Sequence, residues 1–280
     1  MGFEVKGNSV ISKLTEFQNE TAIKALRASR QKNFVNPTSE ARKDSPFHII
    51  RNGFMECDKG FVTLGRDMGK KIKIPVMCFL VKHKKGNVLI DTGMPPDLEK
   101  TWGKRLRYFN PEIKNDVANY LKNTKINYII NTHLHLDHCG NNGNFKNAEI
   151  IVQKEEYSSA KNPAPYQKYA YCDDFNEKLN YRIIRGNLDL FGDGTIKIIK
   201  TSGHTKGHQS VLLNVDGRKI FIAGDACYTS ENLKYNLLPA ILWNPDKIIK
   251  CYKMMRELEN TQIIFGHEEN KELGLMRNED

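Results

Sequence analysis

Residues 131–140 read NTHLHLDHCG and place His133, His135, Asp137 and His138 within six positions. On an extended chain, side chains two apart project from the same side, so His133 and His135 share a face. His138 breaks the alternation, and Asp137 and His138 can reach a common point only if the chain turns. The spacing therefore suggests two neighbouring sites, one served by His133 and His135, the other by Asp137 and His138. Imidazole and carboxylate ligands suit zinc, and also iron, nickel or manganese.

Two residues per site are too few, and three later stretches supply more. IIKTSGHTKGH (198–208), IFIAGDACY (220–228) and IIFGHE (263–268) share one format: a strand, a small-residue turn, then His204, Asp225 or His267. A sheet fixes residues at its strand ends while the loops beyond leave room for a substrate. The count then closes, with His133, His135 and His204 on one metal and Asp137, His138 and His267 on a second. Asp225 bridging both gives each metal four protein ligands, and a shared hydroxide a fifth. An open pair of this kind is a hydrolytic centre, because a bound metal lowers the pKa of water to about 7.

The rest of the chain constrains the setting. It has 280 residues, 39% of them hydrophobic, with a formal net charge of +10. No run of ~18 apolar residues offers a transmembrane helix, and the first residues lack the apolar core of a secretory signal. A soluble cytoplasmic protein without membrane attachment is expected. Cys57, Cys78, Cys139, Cys172, Cys227 and Cys251 form no C-x-x-C pair and read as reduced thiols rather than a disulfide framework. The lysines are dispersed rather than gathered into a stripe, which argues for a solvated surface and against nucleic acid.

Residues 1–46 stand apart as an N-terminal extension, a helix over LTEFQNETAIKALRASRQ (14–31) followed by a linker between Pro37 and Pro46. Residues 47–280 carry the main domain. Strands are expected at FHII, IPVMCFLV, NVLIDTG, INYII, AEIIVQ, YRIIRG, TIKIIKT, SVLLNV, KIFIAG and TQIIFG. Helices are expected over 112–123 and from Pro245, the latter with Ile248, Ile249, Tyr252, Met255 and Leu258 on one face. Many strands with a few helices make an α/β architecture.

Together these motifs resemble the metallo-β-lactamase superfamily: H-x-H-x-D-H at 133–138, a glycine-flanked histidine, an aspartate after a strand and a final histidine. The resemblance implies an αβ/βα sandwich with a dinuclear metal site at its edge, two divalent ions with zinc the first choice. It also implies that Asp91 of IDTG supports a metal ligand from behind, and that His208 supports the site without being a ligand. LIDTGMP, HLHLDHCGNNGNF, IIVQKEEY, SGHTKGHQS and GDACYT are further similar to the N-acyl homoserine lactone lactonases, the quorum-quenching branch, over residues 47–268. One departure is Lys206, where the family commonly has proline.

That branch implies hydrolytic opening of a homoserine lactone by a metal-bridging hydroxide. Tyr228 would polarise the lactone carbonyl and steady the oxyanion, and Asp137 would protonate the departing alkoxide. An acylated substrate needs an apolar groove, expected from Met94, Trp102, Leu106 and Phe109 in the long segment 94–112, with Leu136, and with Phe54 and Met55 as further wall. The partner is then a small acyl lactone, and a homodimer is compatible with the sequence. The alternatives are another hydrolase on this scaffold, a glyoxalase II-type thioesterase or a phosphodiesterase or RNase, and a non-catalytic binding protein. The last conflicts with retention of all seven ligand residues.

Overall fold

Strand β1 (Phe47–Asp58) opens the described chain and pairs antiparallel with β2 (Lys71–Val81). The computed structural model describes residues 45–103, 108–172 and 175–269. By its contacts the chain divides into two units, Met1–Ala41 and Arg42–Asp280. The helix expected over 14–31 lies outside the described residues.

From Ile74 to Val81, β2 is buried on both faces, because successive side chains enter different cores. Met77, Phe79 and Val81 join one cluster, Cys78 and Leu80 another. β3 (Val88–Ile90) follows on the far side of β2, and β4 (Asn110–Ile113) pairs with β1. β5 (Tyr128–Ile130), β6 (Glu149–Gln153) and β7 (Tyr181–Ile184) then add in parallel to β3. The resulting seven-stranded sheet has the order β4-β1-β2-β3-β5-β6-β7. β8 (Leu188–Asp189), β9 (Ile196–Lys200), β10 (Gln209–Val215), β11 (Arg218–Ile222) and β12 (Thr261–Ile264) make a second sheet in the order β12-β11-β10-β9-β8.

The main core lies between the sheets, where Phe79, Ile90, Ile130 and Ile151 meet Ile198, Val211, Leu213 and Ile222. Each sheet also buries its outer face. Leu89, Ile129 and Ile150 cluster with Val117, Leu121 and Ala160, residues of or beside the helices Val117–Tyr120 and Lys154–Lys161. On the other sheet, Phe221 packs with Ile248, Tyr252 and Met255 of the helix Pro245–Arg256. Helices outside two facing sheets make the αβ/βα sandwich.

Several elements differ from expectation. The helix expected over 112–123 is only Val117–Tyr120, capped by Asp116, because Asn110–Ile113 pairs with β1 instead. Pairing with β1 along both edges also carries that strand to Asp58, well past FHII. In the last helix Ile249 is exposed and Cys251 is buried in its place, while Leu258 follows the helix end. The helix Lys154–Lys161, absent from the expected elements, carries two acidic residues in its first turn.

Candidate metal centre

β3, β5, β9, β11 and β12 are followed directly by Asp91 and by the loops carrying His133, His204, Asp225 and His267. β3 and β5 are parallel, as are β11 and β12. β9 runs antiparallel to β10, and β10 to β11, so β9 also shares their direction. Each sheet therefore delivers its candidate site residues from one end, which is why side chains far apart in sequence converge.

Within NTHLHLDHCG the backbone bends at Thr132 and is extended at His135, the N-cap of a one-turn helix, Leu136–Cys139. That turn is the break in alternation at His138. It swings Asp137 and His138 away from the direction of His133 and His135, producing two groups. One comprises His133, His135 and His204; the other comprises Asp137, His138 and His267; His133, His138 and Asp225 form a third, overlapping triplet that links them.

The Asp225 carboxylate spans them. Its Oδ2 lies 3.2 Å from His204 Nε2 and 3.7 Å from His133 Nε2. Its Oδ1 lies 3.2 Å from His138 Nε2 and 3.3 Å from His267 Nε2. Asp137 Oδ2 closes the second group at 3.4 Å from His138 Nε2 and 3.7 Å from His267 Nε2. Ligand atoms held ~2.0–2.2 Å from a tetrahedral ion lie about 3.3–3.6 Å from one another. The observed separations bracket that range.

The outward nitrogens fix the tautomers. His204 Nδ1 is 2.9 Å from the Ile241 carbonyl and His267 Nδ1 is 3.0 Å from the Pro75 carbonyl. A carbonyl only accepts, so each Nδ1 donates and each Nε2 turns a lone pair inward. His138 Nδ1 contacts Asp91 Oδ2 at 2.8 Å, which likewise leaves Nε2 facing the centre. His135 differs, with Nδ1 only 2.9 Å from His204 Nε2. At the centre, His133 Nε2, His135 Nε2, His138 Nε2 and Asp225 Oδ1 are buried without a hydrogen-bond partner. Such orphaned atoms cost about 1–3 kcal/mol each unless a cation satisfies them, so the donor set fits divalent metal.

Charge agrees with this. Burial would lower the His138 pKa, but Asp225, Asp137 and Asp91 together hold it well above the ordinary value. His267 is raised in the same way, Asp225 and Asp137 outweighing burial. Burial leads in holding His133, His135 and His204 low. Burial would raise Asp225, yet His138, His267, His204 and His133 keep it well below its usual range. Three carboxylates thus draw positive charge into a pocket of otherwise neutral imidazoles.

Behind these candidate ligands, Asp91 accepts from Thr132 N at 2.7 Å and from Thr132 Oγ1 at 2.8 Å as well as contacting His138. His208 Nε2 accepts from Asp225 N at 3.0 Å, and its Nδ1 lies 2.9 Å from Thr201 Oγ1. The imidazole therefore positions the Asp225 backbone and does not face the metal groups. Burial lowers its pKa to about 3, so it stays neutral. The turn with Lys206 in place of proline closes through a Gly203 N to Thr205 O bond of 3.0 Å.

Tyr228 is buried, its hydroxyl 3.5 Å from His204 Nδ1 and its ring against His267. Burial, then Asp225 and Asp137, hold the phenol well above its ordinary pKa, so it remains a donor. It lines an open cleft whose wall also includes Leu136, Phe109, Asp137 and His135. Met94 is fully buried in the apolar cluster of Leu136 and Tyr228 and is not among the lining residues. Leu106 and the Trp102 side chain lie outside the described residues. Met55 lines the cleft whereas Phe54, one position along β1, sits under Arg51. Cys57, Phe61, Ile74, Tyr169 and Ile241 also line it without having been singled out. The two-residue alternation Met55, Cys57 along β1 was the available signal.

Residues 73–267 match the profile of the metallo-beta-lactamase superfamily. An N-acyl homoserine lactonase of Bacillus sp is 32% identical over 247 residues, covering 81% of this chain and 94% of that protein. The N-acyl homoserine lactonase AttM of Rhizobium radiobacter is 28% identical over 246 residues, covering 80% and 94%. Among solved structures, a variant of Bacillus thuringiensis AiiA with N-decanoyl-L-homoserine at its active site superposes with a TM-score of 0.70 at 31% identity, covering 79% of this chain and 92% of that one. An N-acyl homoserine lactone hydrolase with N-hexanoyl-L-homoserine at its catalytic metal centre gives the same TM-score, identity and coverage. The chain belongs to the metallo-beta-lactamase superfamily, in the branch of the N-acyl homoserine lactonases.

Proposed function

We propose that this protein opens the lactone ring of N-acyl homoserine lactones by metal-dependent hydrolysis. The observation that carries the proposal is the Asp225 carboxylate, which turns one oxygen to each histidine group at the floor of an apolar cleft. His133, His135, His204 and Asp225 would hold one divalent ion; Asp137, His138, His267 and Asp225 would hold a second. Zinc suits this set of imidazoles and carboxylates. When bound, such ions lower the pKa of water to about 7 and polarise the lactone carbonyl.

The chain's own groups do the rest. Tyr228, kept protonated, donates its O–H to the carbonyl oxygen as negative charge develops there. Asp137 turns Oδ2 towards His138 and His267 and lines the cleft, so its other oxygen serves to carry a proton. Against the effect of burial, His138 and His267 keep Asp137 ionised. It therefore first accepts the proton of the oxygen that adds to the carbonyl carbon, then delivers it to the ring oxygen as the C–O bond breaks, leaving a carboxylate and a free hydroxyl. Leu136, Phe109, Met55 and Ile74 supply apolar wall for the acyl chain.

Among the described residues no lysine or arginine lines the cleft, which disfavours a phosphodiesterase or RNase. We further take residues 47–280 as the hydrolase domain and 1–46 as an extension. β1 begins at Phe47. A cytoplasmic setting accords with cysteines that are free thiols throughout the described residues. No helix among them is long and apolar enough to cross a membrane.

A panel of acyl homoserine lactones of several chain lengths, a simple lactone, a glutathione thioester and a phosphodiester tests the assignment. Turnover is expected on the acyl lactones; its absence there with turnover of the thioester would overturn it.

A further inference from the structure

Glu156 takes no part in the proposed reaction, yet it is 1% exposed and sits behind the first histidine group. It occupies the third position of the helix Lys154–Lys161 and reaches away from that helix into two loops. Oε1 accepts from Leu134 N at 3.0 Å and from Tyr171 O–H at 3.1 Å. Oε2 accepts from Thr205 Oγ1 at 2.5 Å and from Gly207 N at 3.1 Å. Leu134 lies between His133 and His135, and Thr205 follows His204. One carboxylate therefore ties together the two loops that must bring three imidazoles to one point.

Two further contacts make this more than loop anchoring. Tyr171 forms a β-bridge with His135, and their rings pack with centroids 4.8 Å apart. Gly207 approaches so closely that a Cβ there would lie 2.1 Å from Glu156 N, so the His204 turn is pressed directly onto the helix. Leu134 and Gly207 present backbone N–H groups, which can only donate, and only an acceptor on each side of the side chain satisfies both.

We infer that Glu156 is a positioning residue for the first metal group, setting the separation of the His133–His135 strand from the His204 turn. This rests on those three histidines holding one ion. Outer contacts of this kind typically change metal affinity by about 10–100-fold when removed. In Glu156→Gln an amide NH2 faces Gly207 N–H or Leu134 N–H, donor against donor, and one loop is released.

The test compares wild type, Glu156→Gln, Thr205→Val and Tyr171→Phe by chelator competition for bound zinc, with thermal unfolding of the metal-free proteins alongside. Wild type is expected to hold two ions; fewer would defeat the metal assignment itself rather than the role of Glu156. Glu156→Gln should release one ion about tenfold or more readily while retaining the other, and added zinc should restore its lactone turnover. Tyr171→Phe, which keeps both loop ties, should bind zinc within about threefold of wild type. If Glu156→Gln does not fold, Thr205→Val reads one tie alone and should weaken the same ion at least about threefold. Zinc binding by Glu156→Gln, or in its absence by Thr205→Val, that matches wild type would overturn the inference, as would lost turnover that excess zinc does not restore.

Discussion

Asp91→Asn isolates the outer support of the second histidine group. Asp91 has a φ of 55°, a left-handed conformation that asparagine adopts readily, so the backbone is unchanged. The wild-type carboxylate contacts three groups within 2.8 Å: Thr132 N, Thr132 Oγ1 and His138 Nδ1. An amide offers one oxygen. With its NH2 on the Thr132 N side, a buried backbone donor loses its acceptor, at about 1–3 kcal/mol. With the NH2 on the other side, His138 must accept at Nδ1, which moves its hydrogen to Nε2 and removes the lone pair turned to the centre. At about 1.4 kcal/mol per tenfold change, either arrangement weakens one ion by roughly 5–150-fold. Chelator competition with zinc measures this, and lactone turnover at limiting zinc should fall in step. Two ions bound with affinities within about threefold of wild type would refute the role given to Asp91.

Tyr228→Phe should keep both ions and lower turnover on the order of 10²-fold; unchanged turnover of every lactone tested would remove the oxyanion role. Gly207→Ala drives a methyl to within 2.1 Å of Glu156 N and should cost at least about 2 kcal/mol, read as a fall in the guanidinium midpoint. His208 has its folded pKa lowered from 6.5 to about 3, so the unfolded chain binds a proton that the folded chain refuses. Stability contributed by neutral His208 is therefore full above about pH 6.5 and is lost as pH falls towards 3. His208→Gln should flatten that part of the stability curve in urea titrations between pH 7 and 5.

Much of the centre was legible because its residues obey short-range rules. The alternation His133, His135 and its break at Asp137–His138 follow from extended chain meeting a single helical turn. The strand-then-glycine format located His204, Asp225 and His267, since strand ends share an edge of the sandwich. The cleft was less legible, because its wall is assembled across distant strands. Met94 follows a strand that runs into the core and so is swallowed by it, while Cys57 and Ile74 reach the cleft only through the β1–β2 register. Likewise, residues 110–113 carry no strong pattern and became a strand because β1 offered a free edge. Glu156 lies within IIVQKEEY, but no role could be read for it there, a glutamate in a helix first turn being ordinarily a solvated or capping residue.

With divalent ions held around Asp225, this chain should open an acyl homoserine lactone. Mass spectrometry of N-hexanoyl homoserine lactone incubated with metal-loaded, chelator-stripped and reloaded protein tests it most directly. Conversion to the open-chain N-hexanoyl homoserine with gain of one water is expected, lost on stripping and recovered on reloading with two ions per chain. An unopened lactone in the presence of fully loaded protein, or opening that survives complete removal of metal, would contradict it.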